Sequence, residues 1–218
     1  MSTETQLRPD LTPLPDRIAA LPVDSDRRVP IPYFVAWKDG KPEFRAMDLD
    51  KFGRAIKERR CWVCGERLGV NLCFVAGPMC GISRTTSEPP CHLECGRWSA
   101  RNCPFLANPR MVRREDEQPL NAAAGFAIRR NPGVAMLWIT REFELFRPPA
   151  GNEGLLIQMG TPDSVEWWAE GKPATREQVL HSIDEGLSNL EAIARQEKGG
   201  LEALANARSR FEKWIPQN

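Results

Sequence analysis

The sequence predicts a single α+β domain, a small sheet closed by C-terminal helices, and three observations carry that expectation. A chain of 218 residues that is 41% apolar, with seven Trp and nine Phe, has enough core-forming side chains for one globular unit. Short apolar runs bounded by Gly, Pro and Asp recur at 32–47, 134–146 and 155–159, the pattern of strands. From Thr175 onward the apolar positions step by three and four, the pattern of helices. No run approaches the roughly 18 consecutive apolar residues of a spanning helix, so no membrane partner is expected.

Residues 1–30 carry Pro9, Pro13, Pro15, Pro22 and Pro30 among scattered charges. They favour an extended, flexible arm, mobile or draped over a domain at 31–218. Pro32 to Trp37 and Glu43 to Met47 flank Asp39-Gly40, the composition of a tight hairpin turn. Asp48 or Asp50 can cap a helix carrying Phe52, Ile56 and the basic group Lys57, Arg59 and Arg60.

Beyond the cysteine-rich segment, Arg113 to Leu120 reads as a charged loop and Ala122 to Arg130 as a helix stopped by Asn131-Pro132-Gly133. Val134 to Thr140 and Leu155 to Met159 are strands, with Phe143 to Phe146 extending the pair. Thr161-Pro162 resembles a cap followed by Pro at the first helical position. It would open a short helix through Val165, Trp167 and Trp168 that stops near Gly171, making 161–218 a C-terminal helical part. Thr175 and Gln178 fit a capping box. The apolar series Leu180, Ile183, Leu187, Leu190, Ala194, Leu201, Leu204, Phe211 and Ile215 follows, in register across Gly199-Gly200. Either two helices fold back on the domain's own sheet or one bent helix offers a coiled-coil seam to a homodimer. The paired glycines, each costing about 1 kcal/mol in a helix relative to Ala, favour the hairpin.

The seven cysteines are the unusual count. An odd number behind an N-terminus without the charged-then-apolar order of a secretory signal points to a reducing, cytoplasmic setting, where clustered cysteines hold metal more often than they pair. Cys61-Trp62-Val63-Cys64-Gly65 is a C-x-x-C followed by Gly, a turn that aims two sulfurs at one ion. Pro89-Pro90 lead into Cys91-His92-Leu93-Glu94-Cys95, where His92 and Cys95 lie three apart and face the same way on a helix. Between the pairs, Leu72 to Ala76 and Met79 to Ser83 read as strands joined at Gly77-Pro78. Knuckle, hairpin, then helix resembles a treble-clef zinc site. The expected zinc ligands are Cys61, Cys64, His92 and Cys95, within a segment at 59–106, with Cys91 the rival for His92's place. Cys73, Cys80 and Cys103 sit singly and read as core thiols.

Four protein ligands close a zinc shell, and the region between the pairs holds no histidine of the kind that HNH nucleases use as base. His92 and His181 are the chain's two histidines, and His181 reads as a structural residue of the C-terminal helix. An enzyme, such as a divergent HNH-like nuclease, would have to rely on carboxylates beside the metal, with Glu66, Glu88 and Glu94 as candidates. Charge points elsewhere. Residues 51–114 hold 12 basic and 4 acidic side chains, against 7 and 9 before them and 11 and 16 after, so a net charge of +1 conceals a basic central segment. Arg59, Arg60, Arg67, Arg84, Arg97 and Arg101 are its candidate contacts to nucleic acid or to an acidic protein, unless the acidic remainder of the chain covers them. The leading expectation is therefore a zinc-stabilised, non-enzymatic binding or adaptor protein.

The motifs Cys61 to Gly65, Gly77-Pro78-Met79-Cys80, Glu88 to His92 with Cys95, and Cys103-Pro104-Phe105-Leu106 resemble a family of uncharacterised proteins from bacteriophages and bacterial genomes. Gly171 to Thr175 and the segment Ser182-Ile183-Asp184 to Gly186 are similar too, so the likeness spans roughly residues 30–190. It implies an intracellular protein of mobile-element origin, in a bacterial cell or phage-infected host, and carries no activity.

Overall fold

A computed structural model describes residues 7–11, 13–111, 131–147 and 154–217. The loop expected at 113–120 and the helix expected at 122–130 lie outside them. So do Arg113 and Arg114.

The N-terminal segment is draped on the domain. Asp16–Ala19 forms one helical turn (α1) whose Ile18 is fully buried, and Val23–Asp24 (β1) pairs antiparallel with Val29–Pro30 (β2). Of the two forms expected, mobile or draped, 13–30 takes the second: besides Ile18, Leu14 and Leu21 pack against the core. Val35–Lys38 (β3) and Lys41–Met47 (β4) make the expected hairpin. Asp39 and Gly40 both have positive φ, 51° and 75°, as a two-residue turn of this hand requires. Asp48 caps Leu49–Lys57 (α2), its side chain accepting from the Lys51 amide.

Leu72–Ala76 (β5) is a strand, but Met79 to Ser83 is not its hairpin partner. Pro78–Ser83 is a helix (α3) with Gly77 at its N-cap and Pro78 in its first turn, where the missing N–H of proline does no harm. A short strand, Thr85–Thr86 (β6), and two helices, Leu93–Asn102 (α4) and Pro104–Ala107 (α5), follow. Later strands are Ala135–Thr140 (β7), Phe143–Phe146 (β8), Leu156–Met159 (β9), Ser164–Ala169 (β10) and Lys172–Pro173 (β11). The helix expected from Thr161 is thus β10, and the expected stop at Gly171 is the β10–β11 turn, with Glu170 and Gly171 at positive φ. Helices Arg176–Ala194 (α6) and Gly200–Phe211 (α7) close the chain. Thr175 and Gln178 complete the capping box. α6 ends at Ala194, and Gly199, at φ 75°, is the N-cap from which α7 packs back against α6, so the helical hairpin is the observed form.

The main sheet is antiparallel in the order β11-β10-β7-β5, and a smaller one runs β6-β9-β8. Every residue of β7 is buried, as befits a strand with helices on both faces. Phe74, Trp138 and Val165 share one register line. Adjacent residues of a strand face opposite ways, and Trp167-Trp168 use this directly. Trp167 meets Phe211 edge-on, and Phe211 also stacks on Trp138, so α7 lies on that face together with α3, whose Gly81 has room only for hydrogen against Met136 and Phe211. Trp168 faces the other way, under the guanidinium of Arg101 on α4. Arg97, one turn earlier, pairs with Glu166 on the same face. The sheet is thereby held between α4 and the α3, α6 and α7 group. Among the described residues, no helix is long and apolar enough to cross a membrane.

Candidate metal centre

The centre is built where the Cys61 knuckle meets the start of α4. Gly65 N–H donates to the Cys61 carbonyl and Cys61 N–H to that of Glu66, closing a tight loop. Arg60 and Arg67 form an antiparallel bridge beneath it. Gly65 is required twice over: its φ is +79°, and a Cβ there would lie 2.7 Å from the Tyr33 ring. The second pair is placed by Pro89-Pro90, because the Trp62 amide donates to the Pro90 carbonyl at 3.0 Å. His92 occupies the N-cap of α4 and Cys95 its first turn.

The Sγ atoms of Cys61, Cys64 and Cys95 and a ring nitrogen of His92 all lie within 4.8 Å of one another. His92 Nδ1 is 3.4 Å from Cys64 Sγ and 3.9 Å from Cys95 Sγ. The amides of Cys64 and His92 both point at Cys61 Sγ, at 3.4 Å, and such N–H contacts favour a thiolate. Burial alone would raise the Cys61 thiol, yet hydrogen bonds from Cys64, Cys95 and His92 outweigh it and hold Cys61 well below the ordinary thiol range. The hydrogen bonds they make to Cys61, with burial and its negative charge added, push Cys64 up to about 12 and move Cys95 up as well. His92 is raised by its hydrogen bond to Cys61. Three sulfurs competing for protons around one point is the electrostatic signature of a site that a cation would relieve.

Cys91 is not in the cluster. Its backbone exchanges both hydrogen bonds with Cys73, at 2.8 and 2.9 Å, and its thiol donates to the Cys73 carbonyl at 3.3 Å. This bridge turns the side chain into the core beneath Gly96, where both sulfurs approach. Cys73 is likewise buried. Cys80, on α3, has a thiol pushed up to about 11 by burial, and Cys103 stands at the N-cap of α5. His181 is exposed on α6, with Nε2 3.6 Å from Glu185, far along the chain from the centre.

The three carboxylates expected near the metal are not ligands in this cluster. Glu66 and Glu94 instead both pair with Arg17 of α1, Glu66 at 2.7 Å, and the three line a cleft of about 350 Å³ together with Asp16. Glu88 caps back on the Thr86 hydroxyl through its amide. Arg17 was invisible to sequence reasoning, since nothing local in Asp16-Arg17-Ile18-Ala19 names a partner 49 or 77 residues away.

The six arginines divide into two groups. Arg60 pairs with Glu58, Arg97 with Glu166, and Arg84 donates twice to the Met159 carbonyl, so these three are engaged within the chain. Arg59, Arg67 and Arg101 are exposed. They sit just past the end of α2, beside the knuckle and on α4, where the Arg101 guanidinium also covers the Trp168 ring. Compared with models of known protein families, with curated proteins and with solved structures, the chain matches none.

Proposed function

We propose that the protein is a zinc-stabilised binding protein whose ion is structural and whose exposed arginines contact nucleic acid. The observation that carries the first half is the donor set: three thiols and one imidazole, brought within 4.8 Å by two backbone-fixed turns. Three sulfurs and a nitrogen are a set that zinc takes tetrahedrally, and soft thiolates favour it over magnesium or calcium. Tetrahedral bonds of about 2.3 Å to sulfur and about 2.0 Å to nitrogen imply a sulfur–nitrogen separation of roughly 3.6 Å, and His92 Nδ1 lies 3.4 and 3.9 Å from the Cys64 and Cys95 sulfurs. Bound zinc would neutralise the crowded thiolates and tie the knuckle to α4 across the intervening loop. With four protein donors there is no coordination position left for water or substrate, which supports a structural ion.

The partner class rests on Arg59, Arg67 and Arg101, whose planar guanidinium groups suit phosphate. Metal analysis of protein purified without added zinc should find about one zinc per chain, lost in Cys61→Ser; no tightly bound metal would overturn the site. Binding to mixed DNA and RNA that weakens steeply with salt supports phosphate contact. Binding that is absent at low salt overturns that half alone.

A second reading, hydrolysis of a phosphodiester, is favoured by the cleft holding Glu66 and Glu94 beside the centre. Arg17 already engages both carboxylates, which weakens them as bases or metal ligands. Nuclease activity abolished by Glu66→Gln and Glu94→Gln would establish this reading in place of the first.

A further inference from the structure

From the outer edge of β8 we infer that two copies of the chain associate, the β8 of each pairing with that of the other across a two-fold axis at Leu145. The smaller sheet runs β6-β9-β8, so β8 has a strand on one side and, among the described residues, none on the other. In an antiparallel ladder each residue sends its N–H and C=O to the same side, and successive residues alternate. Gly160 N–H donates to the Glu142 carbonyl from the β9 side, and pairing runs on from Phe143↔Met159 to Phe146↔Leu156 without a shift. Glu142, Glu144 and Phe146 therefore turn their backbone groups toward β9, whereas Phe143 and Leu145 turn theirs outward. Neither of these two has a backbone hydrogen bond on the outer side among the described residues.

Such an edge is a template for another strand, and chains guard it with lysine, proline or a bulge. β8 carries none of the three: it reads Phe143-Glu144-Leu145-Phe146 and its ladder is regular. The outer edge of β5, by contrast, is occupied where Cys91 bridges Cys73. Leu145 is 40% exposed and lies on the same face of the strand as Phe143, whose ring meets Phe74 edge-on. A strand docked beside β8 extends that apolar face over a leucine the chain itself leaves in water.

The side-chain pattern selects a second copy, and with it the register. Antiparallel pairing centred on Leu145 matches its outward N–H and C=O with the same two groups of the second copy. Leu145 then covers Leu145, Glu144 stands opposite Phe146, and the exposed Arg147 stands opposite the Phe143 ring, so no like charges face each other. Centring on Glu144 instead would press two carboxylates together at the closer kind of cross-strand position. The chain thus carries its own complement, and the three-stranded sheet becomes half of a continuous one.

This association is independent of the metal centre and of nucleic acid. The test is sedimentation velocity of the full chain across the micromolar range, where a mass approaching twice the chain's is expected. Leu145→Lys and Leu145→Glu each set like charges against each other at the axis and should raise the concentration needed for association by roughly tenfold or more. Far-UV circular dichroism should stay unchanged, because the side chain is exposed and its N–H takes no part in the β8–β9 ladder. Mixing the two variants should restore the doubled mass, since opposite charges then meet. A parent chain that stays monomeric throughout overturns the inference and leaves the edge to a strand of another protein. Association that persists in both variants overturns it in favour of a different interface. A mixture that stays monomeric while the parent dimerises overturns it as well.

Discussion

His92 aims Nε2 at the backbone carbonyl of Arg67, 3.1 Å away, and so turns Nδ1 toward the cysteine sulfurs. A ring that donates from one nitrogen keeps a lone pair on the other, which fixes the tautomer a metal needs. The carbonyl belongs to the knuckle's own closing strand, so the loop that supplies Cys61 and Cys64 also orients the ligand from α4.

His92→Ala should therefore lower metal affinity by more than about a hundredfold, whereas Cys91→Ala should keep one metal per chain. The latter should cost only about 1–2 kcal/mol for the small cavity. Competition with a chromophoric chelator measures the first, and chemical denaturation the second. Metal retained in His92→Ala and lost in Cys91→Ala would reverse the assignment.

Arg17 bridges the knuckle and the first turn of α4 from outside, through Glu66 and Glu94. Exposed ion pairs contribute at most about 1 kcal/mol each, so Arg17→Ala should lower stability slightly. Ile18→Ala, emptying a fully buried site, should cost roughly 2–4 kcal/mol. Hydrogen exchange at the amides of Ile18, Ala19 and Ala20 should accelerate in Arg17→Ala and again when metal is removed. If chelation leaves those amides unchanged, α1 does not depend on the centre.

Gly96 carries the contact between α4 and β5. A Cβ there would stand 2.9 Å from Cys73 Sγ and 3.4 Å from Val75 Cγ2. Gly96→Ala should destabilise by about 1–3 kcal/mol through overpacking and weaken metal binding, because Cys95 is its neighbour. Adding Cys73→Ala removes the obstructing sulfur and should recover much of both losses. Equal loss in the single and double variants would show that the crowding lies elsewhere.

How much of this was legible depended on whether a signal was local. The Cys61 knuckle, the Asp39-Gly40 turn and the Thr175 capping box are specified within a few residues, and each formed as the sequence implies. Thr161-Pro162 carried an equally local helix signal that lost. Ser164 to Trp168 pair residue by residue with β7, a buried strand that needs partners on both edges, and tertiary pairing overrode the cap. Met79 to Ser83 failed differently: its apolar run suggested a strand, yet Pro78 already marked a helix start. The two-residue spacing to Cys95 favoured His92 over Cys91, and His92 is the residue in the cluster; the reason Cys91 turns inward was not legible, because its bridge to Cys73 joins residues 18 apart.

Glu43 supplies a prediction in pH. Its hydrogen bonds from the Arg45 guanidinium hold its carboxyl at about 2, below the usual 4.5. A depressed folded value means the pair's contribution is complete above about 4.5 and fades as pH falls toward 2. The stability difference between the parent protein and Glu43→Gln should follow that course, with a ceiling of about 1 kcal/mol for so exposed a pair. A difference that does not vary between pH 6 and pH 3 would contradict it.

All four donor residues of the centre lie ahead of the first residue of β7 in the chain. A ribosome exposes Cys95 well before it exposes Ala135, so the knuckle and α4 can close around an ion while β5 still lacks its neighbour in the main sheet. The antiparallel bridge from Cys73 to Cys91 then keeps one edge of that strand occupied during synthesis, and a nascent chain starved of metal would leave it open to the wrong partner.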